Sequence, residues 1–528
     1  MLDIDVIRAD PEMIRDMLKK RNRDTEILDR LMQADGRWRD LVSENNQLRK
    51  TRNEVSQIIS KLPKGEEKDA RIKEMREVGD RIKANDDEMA RLEEVRNDCL
   101  LNIPNIPDSS VPIGKDDTEN VVSFKWGEKR KFDFVPKDHA QLMLDLDMVD
   151  FERAVKITGS GFYCLKGDGA RLERALINFF LDTHRAQGYK EVFTPVIVNK
   201  AAVTGTGQYP NLADDMYYLE RDDMFLNPTA EVPVTNLMQG DILAKEDLPI
   251  KLTAYLPSFR REVGKHADTA GILRVHEFNK VEMVRFELPE DSWAALEEMR
   301  KDAEEIIQKL KLPYHVLTLC TGDMSFACAK CYDLEIWAPA HEKWLECSSC
   351  SNDLTFQARR ARIKYRPEPH LKSEFVHTLN GSGLALPRTM AAILENYQNA
   401  DGSVTIPEVL RPYMGGQEKI VPPKKRKAFR CRRPGEPPRP ASDVHRTEIV
   451  HYLRGAYAPL EVGFVGETFL GAGHTLSQST VGYPVPRRQV GLHPGPHHIT
   501  GLYLTAVTGR LLGIRERIVC HESEFGPP

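Results

Sequence analysis

Residues 259–282 read FRREVGKHADTAGILRVHEFNKVE. Two strand-like stretches, 251–262 and 273–287, flank a polar loop from Val263 to Ile272, which is the pattern of an antiparallel hairpin. Alternation with period two puts Arg274, His276, Phe278 and Glu282 on one face, and Arg260 with Glu262 on one face of the partner strand. One surface then offers guanidinium groups, carboxylates and an aromatic ring. Arginine forks bind phosphate in a bidentate manner, a ring can stack on a base, and a carboxylate can hold an ammonium. A solvent-facing sheet laced with cross-strand salt bridges accounts for the same spacing.

Around this hairpin the chain from Lys137 to Val421 reads as one mixed body. Helical patterns cover 171–187, 292–310 and 388–398, and further strand patterns cover 332–337 and 344–348. Strand-rich stretches with several hairpins, separated by helices, predict an α+β fold: an antiparallel sheet flanked by helices. Asn380-Gly381-Ser382-Gly383 lets backbone approach a ligand, and Pro387-Arg388 opens a helix with a fixed positive charge beside its N-terminus. On its own that is an ordinary turn before a helix. Thr229-Ala230-Glu231 is uninformative by itself.

Cys328-x-x-Cys331 and Cys347-x-x-Cys350 are fifteen residues apart, a spacing compatible with a four-thiolate zinc site. Against that reading, continuous strand patterns surround the cysteines where zinc knuckles would need tight turns. No GxxxxGK[ST], strand-linked GxGxxG, GxSxG or HExxH motif occurs.

The N-terminal segment is different in kind. Asp10-Pro11 is a sound helix start. Leu31, Trp38, Leu41, Leu48, Val55, Ile59 and Leu62 then recur in threes and fours, Leu62-Pro63-Lys64-Gly65 breaks the run, and Ile72, Met75, Ile82, Met89, Leu92 and Val95 resume it. This predicts an antiparallel coiled-coil hairpin with arms of roughly 50 Å. Such arms bury one narrow seam and reach for something or brace something.

The chain has 528 residues, 41% hydrophobic and 29% charged, with 75 Lys+Arg against 80 Asp+Glu and a net charge of −5. It is neither disordered as a whole nor globally basic. No run approaches a membrane span, the acidic start does not resemble a signal peptide, and nine cysteines suit a reducing interior; a cytoplasmic protein is expected. After Lys427 there is no Lys, Asn or Met, and seven of the fifteen histidines lie in 428–528. Residues 424–528 therefore read as an atypical tail, disordered or translated out of frame.

Taken together, these clusters resemble the seryl-tRNA synthetase family of class II aminoacyl-tRNA synthetases, from Met1 to about Val421. GYKEVFTPVIV at 188–198 is similar to motif 1, FRREVG…RVHEFNKVE to motif 2, and LNGSGLALPRTMAAILENYQ to motif 3. TAE at 229–231 and LECSSCSN at 345–352 match the family's serine- and ATP-site segments. The chain departs from the family at Gly161 and Ala270, where Arg is usual, and at Thr355, where Asp is usual.

The resemblance implies a serine–tRNA ligase that converts L-serine and ATP to seryl-adenylate and passes the seryl group to serine tRNA, and to selenocysteine tRNA where present. It implies catalytic roles for Arg260 and Arg388, and an ATP site of Arg260, Glu262, Val275, Phe278, Glu346, Cys347, Ser348, Ser349 and Arg388. It implies a serine pocket of Thr229, Ala230, Glu231, Glu282, Asn380 and Ser382, and Mg²⁺ held with ATP by Glu346 and Ser349. No structural zinc is expected, and no membrane partner. Motif 1 implies a homodimer. Residues 1–107 would bind tRNA, with Arg49, Lys50 and Arg52 as phosphate contacts, and 108–423 would be catalytic. The competing readings are a non-catalytic zinc-ribbon, coiled-coil nucleic-acid-binding protein and a synthetase-like homologue that aminoacylates a carrier protein.

Overall fold

The structure is a computed structural model that describes residues 1–263 and 271–423, and the backbone of two further strands, Gly466–Phe469 and Thr475–Gln478. The chain divides into two compact units, 1–426 and 427–528. In the second unit the two strands pair antiparallel, Gly466 opposite Gln478. The expectations for the rest of the 424–528 tail, and for Ala270, lie outside the described residues.

The first unit begins with two short helices, Ile4–Ala9 and Pro11–Lys20, followed by the helical hairpin. Its arms are Glu26–Lys61 and Glu66–Asn102. At 1.5 Å per residue each is about 55 Å long. Leu31, Leu41, Met75 and Ile82 are buried in the seam. Ile72, expected there, is 49% exposed. The seam of this arm runs through Met75, Val78, Ile82 and Asn85, a heptad that projects back to position 71, so Ile72 falls one residue past it. A polar layer crosses the seam: Asn85 Nδ2 donates to Asn45 Oδ1 at 3.0 Å, and Asn45 Nδ2 to Asp86 Oδ1 at 2.8 Å. Such a layer fixes register at some cost in stability. Nearer the body, buried Asp35 is paired with Arg8, Arg39 and Arg96.

The N-terminal segment is joined to the body by its own apolar cluster. Ile7, Ile14, Leu18, Leu28, Leu31 and Ile103 pack with Ala327 and Phe356. Buried Arg21 donates to the carbonyls of Asn105, Met324 and Ser325. Asp10 caps the helix Pro11–Lys20 through Met13 N–H, as the sequence predicts.

The body is built on eight strands: β1 (Val121–Trp126), β2 (Lys190–Glu191), β3 (Ile250–Phe259), β4 (Glu277–Glu287), β5 (Tyr314–Thr318), β6 (Lys330–Ala338), β7 (Lys343–Leu354) and β8 (His377–Ala385). Their order across the sheet is β1-β5-β6-β7-β8-β4-β3-β2. Every neighbour is antiparallel except β2 with β3. The helices Asp168–Ala186, Ser292–Lys309 and Leu386–Tyr397 pack on it through one large cluster that includes Leu176, Phe180, Met299, Ile306 and Ile393. From the sheet, that cluster takes Val281, Met283, Leu334, Ile336 and Leu379. Residues of opposite parity, Glu282, Asn380 and Ser382, therefore face away from the helical layer. This is the α+β architecture that the strand and helix pattern predicts.

Candidate active site

Register fixes which side chains meet on that free face. Ser382 lies opposite Glu282 across β8 and β4, and Asn380 opposite Ser351 across β8 and β7. The hairpin strands are shorter than the sequence suggests: β3 ends at Phe259 and β4 begins at Glu277. Arg260 N–H still donates to His276 O at 2.9 Å, but Arg261 N–H turns to Asp215 O at 2.8 Å and Glu262 has φ +49°. The backbone thus peels out of the ladder, and Arg260, Glu262 and Arg274 project from the rim of the sheet.

Two adjoining hollows open there. The larger, about 340 Å³, is lined by Thr229, Glu231, Glu282, Asn380, Ser382 and Ser349, together with Arg260, Glu262, Lys280 and Glu346. The smaller, about 110 Å³, is lined by Val275, Phe278, Cys347, Arg274 and Arg388, and shares Arg260, Glu262, Lys280, Glu346 and Ser382 with the first. A shared wall of two carboxylates and two cations suits a reaction that joins an ammonium-bearing acid to a phosphate.

β7 reaches both hollows because it carries a bulge. Leu334 pairs with Ser348 and Glu335 with Glu346, so Cys347 is an extra residue. An inserted residue reverses the alternation of the strand beyond it. Glu346 consequently shares a side with Ser349, Ser351 and Asp353, all of which line the larger hollow. The bulge also turns Ser348 away. Its hydroxyl is buried and donates to Ser382 O at 2.5 Å, so it lines neither hollow and is not brought to the site. Ala230 is likewise absent from the walls and packs in an apolar cluster with Leu252 and Phe286. His276 lies outside as well; its ring packs on Phe162 and its Nδ1 bonds to Arg260 O.

The charges are arranged in fixed pairs. Arg388 donates to Glu346 O at 2.7 Å and to Oε2 at 2.9 Å. Burial pushes the Glu346 carboxyl up, but Arg388, with Arg260 and Lys280 nearby, more than offsets this and holds it below the usual carboxylate range. Arg274 pairs with Glu262 at 2.7 Å. Arg260 donates to Pro228 O and its guanidinium lies 5.1 Å from the Phe278 ring centre. Glu282 Oε2 accepts from Thr229 at 3.1 Å and is paired with Lys280, while buried Glu282 Oε1 has no hydrogen-bond partner. A bare carboxylate oxygen in a polar hollow is a place for a cationic donor. Glu231 is pushed up to about 7 by burial and by the Glu282 charge, against Lys280, Gln357 and Gln208.

Lys280, Gln208 and Gln357 were not singled out from the sequence. Lys280 shares the parity of Phe278 and Glu282, so the alternation that found those two also contains it. The two glutamines come from separate segments, and nothing in their local sequence marks them.

The N-terminal residues 1–107 match a family model described as the seryl-tRNA synthetase N-terminal domain. Residues 217–397 match one described as the class II tRNA synthetase core domain (G, H, P, S and T). A serine–tRNA ligase of Listeria innocua is 53% identical over 427 residues, which is 80% of this chain and 100% of that protein.

The chain belongs to the seryl-tRNA synthetase family.

It is an aminoacyl-tRNA synthetase of class II, a ligase. Another relative, the serine–tRNA ligase of Methanosarcina barkeri, is 53% identical over 423 residues, 80% of this chain and 99% of its own. Among solved structures, the seryl-tRNA synthetase from Pyrococcus horikoshii complexed with ATP superposes with a TM-score of 0.77 at 37% identity, covering 80% of this chain and all of that one.

Other features of this synthetase fall outside the hollows. Arg49 is paired with Asp86 across the hairpin at 3.0 Å, whereas Lys50 and Arg52 are exposed. Among the described residues the four cysteines do not form one cluster: Cys328 and Cys331 are hydrogen-bonded to each other, and Cys331 Sγ also contacts Ser349 Oγ at 3.0 Å, whereas Cys347 Sγ donates to Leu334 O. Among the described residues, the ligand-type triplet brought within 4.8 Å is His139, His341 and Glu395. Both imidazole Nδ1 atoms contact Glu395 Oε1, at 3.1 and 2.7 Å, and Ile272 N–H donates to His139 Nε2 at 3.4 Å. Both imidazoles therefore share one oxygen of the buried Glu395 carboxylate. Among the described residues no helix is long and apolar enough to cross a membrane.

Proposed function

We propose that the two hollows together form the seryl-adenylate site: serine in the larger, ATP in the smaller. The observation that carries this reading is the unpartnered, buried Glu282 Oε1, placed in the same hollow as Thr229, Asn380, Ser382 and Arg260 and one wall away from Arg388. Glu282 takes the serine ammonium. Glu231, Asn380, Ser382 and Thr229 hold the hydroxyl and the remaining donors. Phe278 supports the adenine, Arg388 the phosphates beyond it, and Glu262, Val275 and the Cys347 backbone border the nucleotide. A pocket built to bond a hydroxyl disfavours alanine, because its polar groups are then left unpaired.

In the reaction a serine carboxylate oxygen attacks the α-phosphorus. An O–P bond forms as the bond to the β-phosphate oxygen breaks, and pyrophosphate departs. Arg260 stabilises the charge that develops on the α-phosphate. A ribose hydroxyl of the tRNA 3′ end then attacks the acyl carbon and AMP leaves. No protein nucleophile is needed; positioning and charge stabilisation supply the rate. Glu346 and Ser349 offer a low-lying carboxylate and a hydroxyl, the hard oxygen donors that suit Mg²⁺. When bound there with ATP, the ion would neutralise phosphate charge.

Serine tRNA is the acceptor, held by residues 1–107 while residues 108–423 activate serine. The exposed Lys50 and Arg52 suit phosphate contacts better than Arg49, whose charge is already paired. Motif 1 carries Phe193, 80% exposed, and Ile197, 47% exposed, and we assign this apolar surface to a homodimer contact. The work is placed in the cytoplasm.

Serine-dependent ATP–pyrophosphate exchange tests the reading, with alanine, threonine and cysteine as controls. Exchange with serine alone is expected. Exchange that ignores the amino acid, or none with serine, would reject it.

A further inference from the structure

Glu231 is held by two amides from different parts of the chain. Gln357, in the helix Phe356–Ala361, donates from Nε2 to Glu231 Oε1 at 2.6 Å. Gln208, in the segment after the helix Lys200–Thr206, donates from Nε2 to Glu231 Oε2 at 3.3 Å. Each carboxylate oxygen therefore receives one neutral N–H donor. Neither amide adds charge to a region that already contains Glu282, Lys280 and Asp353.

Each amide is also prevented from turning over. Thr378 Oγ1 donates to Gln357 Oε1 at 2.9 Å, and Gln357 Nε2 donates a second time to Thr206 O at 3.2 Å. A flipped Gln357 would set its oxygen against the Glu231 carboxylate and the Thr206 carbonyl, two acceptor–acceptor contacts. Thr206 Oγ1 donates to Gln208 Oε1, a shorter contact than that to its other acceptor, Ala202 O, at 3.2 Å. Two hydroxyls thus orient two amides, and both amides aim donors at one carboxylate. Gln357 is buried and absent from the cavity wall, so it touches no substrate and acts only through Glu231.

We propose that Gln357, assisted by Gln208, is a positioning residue for amino-acid selection: it fixes the Glu231 carboxylate so that its remaining lone pairs face the amine and hydroxyl of the substrate. This rests on the assignment of the larger hollow to serine and deepens it. With both amides in place Glu231 acts as an acceptor. Without them it rotates or takes up a proton shared with its acidic neighbours, and the discrimination in favour of a hydroxylated substrate falls. Thr378, which is absent from the cavity wall, then connects to serine only through the orientation of the Gln357 amide.

The experiment is steady-state pyrophosphate exchange by the full chain, reading serine KM, ATP KM and kcat separately, for Gln357→Met, Gln208→Met and Thr378→Val. Losing a buried donor to a carboxylate should raise serine KM roughly tenfold or more for Gln357→Met, and less for Gln208→Met, whose bond is longer. Thr378→Val leaves Glu231 untouched and should raise serine KM about threefold by freeing the Gln357 amide to flip. ATP KM should stay within about twofold in all three, which also reports an intact fold. The preference for serine over alanine should shrink in step with the rise in KM. Unchanged serine KM in Gln357→Met and Gln208→Met would overturn the proposal, as would a loss of kcat at constant KM. If Gln357→Met fails to fold, Thr378→Val decides, because Gln208 itself lines the hollow and Thr378 does not: an unchanged serine KM there would overturn the proposal. Glu231→Gln serves as the reference: normal serine KM in that variant would reject the serine pocket itself, whereas a raised KM there with silent glutamine variants rejects only the amide clamp.

Discussion

Around the hollows, Glu231, Glu282 and Lys280 are buried and each is met by donors or acceptors from other strands and helices, whereas on the hairpin of 26–102 pairs such as Arg37–Glu88 and Arg81–Glu44 face solvent. The buried charges are few and each has a direction imposed by the sheet. The hairpin charges are many and lie along a surface, where screening makes any one of them weak. Chemistry at a single phosphorus atom needs the first arrangement. Holding a long RNA by its backbone is served by the second, since many weak phosphate contacts add up.

Four variants sharpen or break this contrast. The largest effect is expected from Arg260→Ala, which removes the guanidinium from both hollows. Exchange should fall by roughly a thousandfold with serine and ATP saturating. A loss below about tenfold would take Arg260 out of the chemistry.

Next comes shortening the hairpin by replacing 46–84 with a tight turn. This keeps Asp35 with its three arginines and leaves Ile14, Leu18 and Arg21 on the body. A deletion running from 10 to 105 would strip those anchors away and damage the body as well. Charging of serine tRNA should drop about a hundredfold as backbone contacts are lost. Undiminished charging would refute the arm's role.

The third test sets a buried carboxyl against exposed ones. Glu173 lies under the sheet, accepts from Asn279 at 2.9 Å, and burial pushes it up to about 7, with Oε2 left without a partner. The native value is above the ordinary 4.5, so the native state holds this proton more tightly. Stability is therefore full below about 4.5 and declines as pH rises through 7. Glu173→Gln should flatten that decline, a difference of roughly 3 kcal/mol by pH 8, read from denaturant unfolding at pH 5 and pH 8. Equal slopes for both proteins would contradict the burial argument. The smallest effect is expected from Arg37→Ala, an exposed pair, which should leave the melting temperature unchanged in physiological salt.

Much of this was legible in the sequence, for identifiable reasons. The hairpin follows from apolar recurrence in threes and fours. The two strands around 259–282 follow from alternation, and alternation also places Phe278 and Glu282 on the ligand side. The reading failed where local pattern and tertiary geometry part. Ile72 lies three residues before Met75 and yet is exposed, because the seam set by Met75, Val78, Ile82 and Asn85 projects back to position 71. Ser348 sits in a recognisable segment and yet faces inward, because Cys347 bulges out of register. Ala230, between Thr229 and Glu231, points into the apolar cluster while its neighbours line the cavity. Gln357 and Gln208 lie 126 and 23 residues from Glu231. No spacing rule connects residues that meet only when a helix, a loop and a sheet have packed.

The most direct test of the central claim is amino-acid-dependent pyrophosphate exchange by the chain with the shortened hairpin. The account predicts a serine rate within about twofold of the intact chain and negligible exchange with alanine. A serine rate that collapses with the hairpin, or an alanine rate equal to that for serine, would contradict the assignment of activation and selection to the two hollows on the sheet.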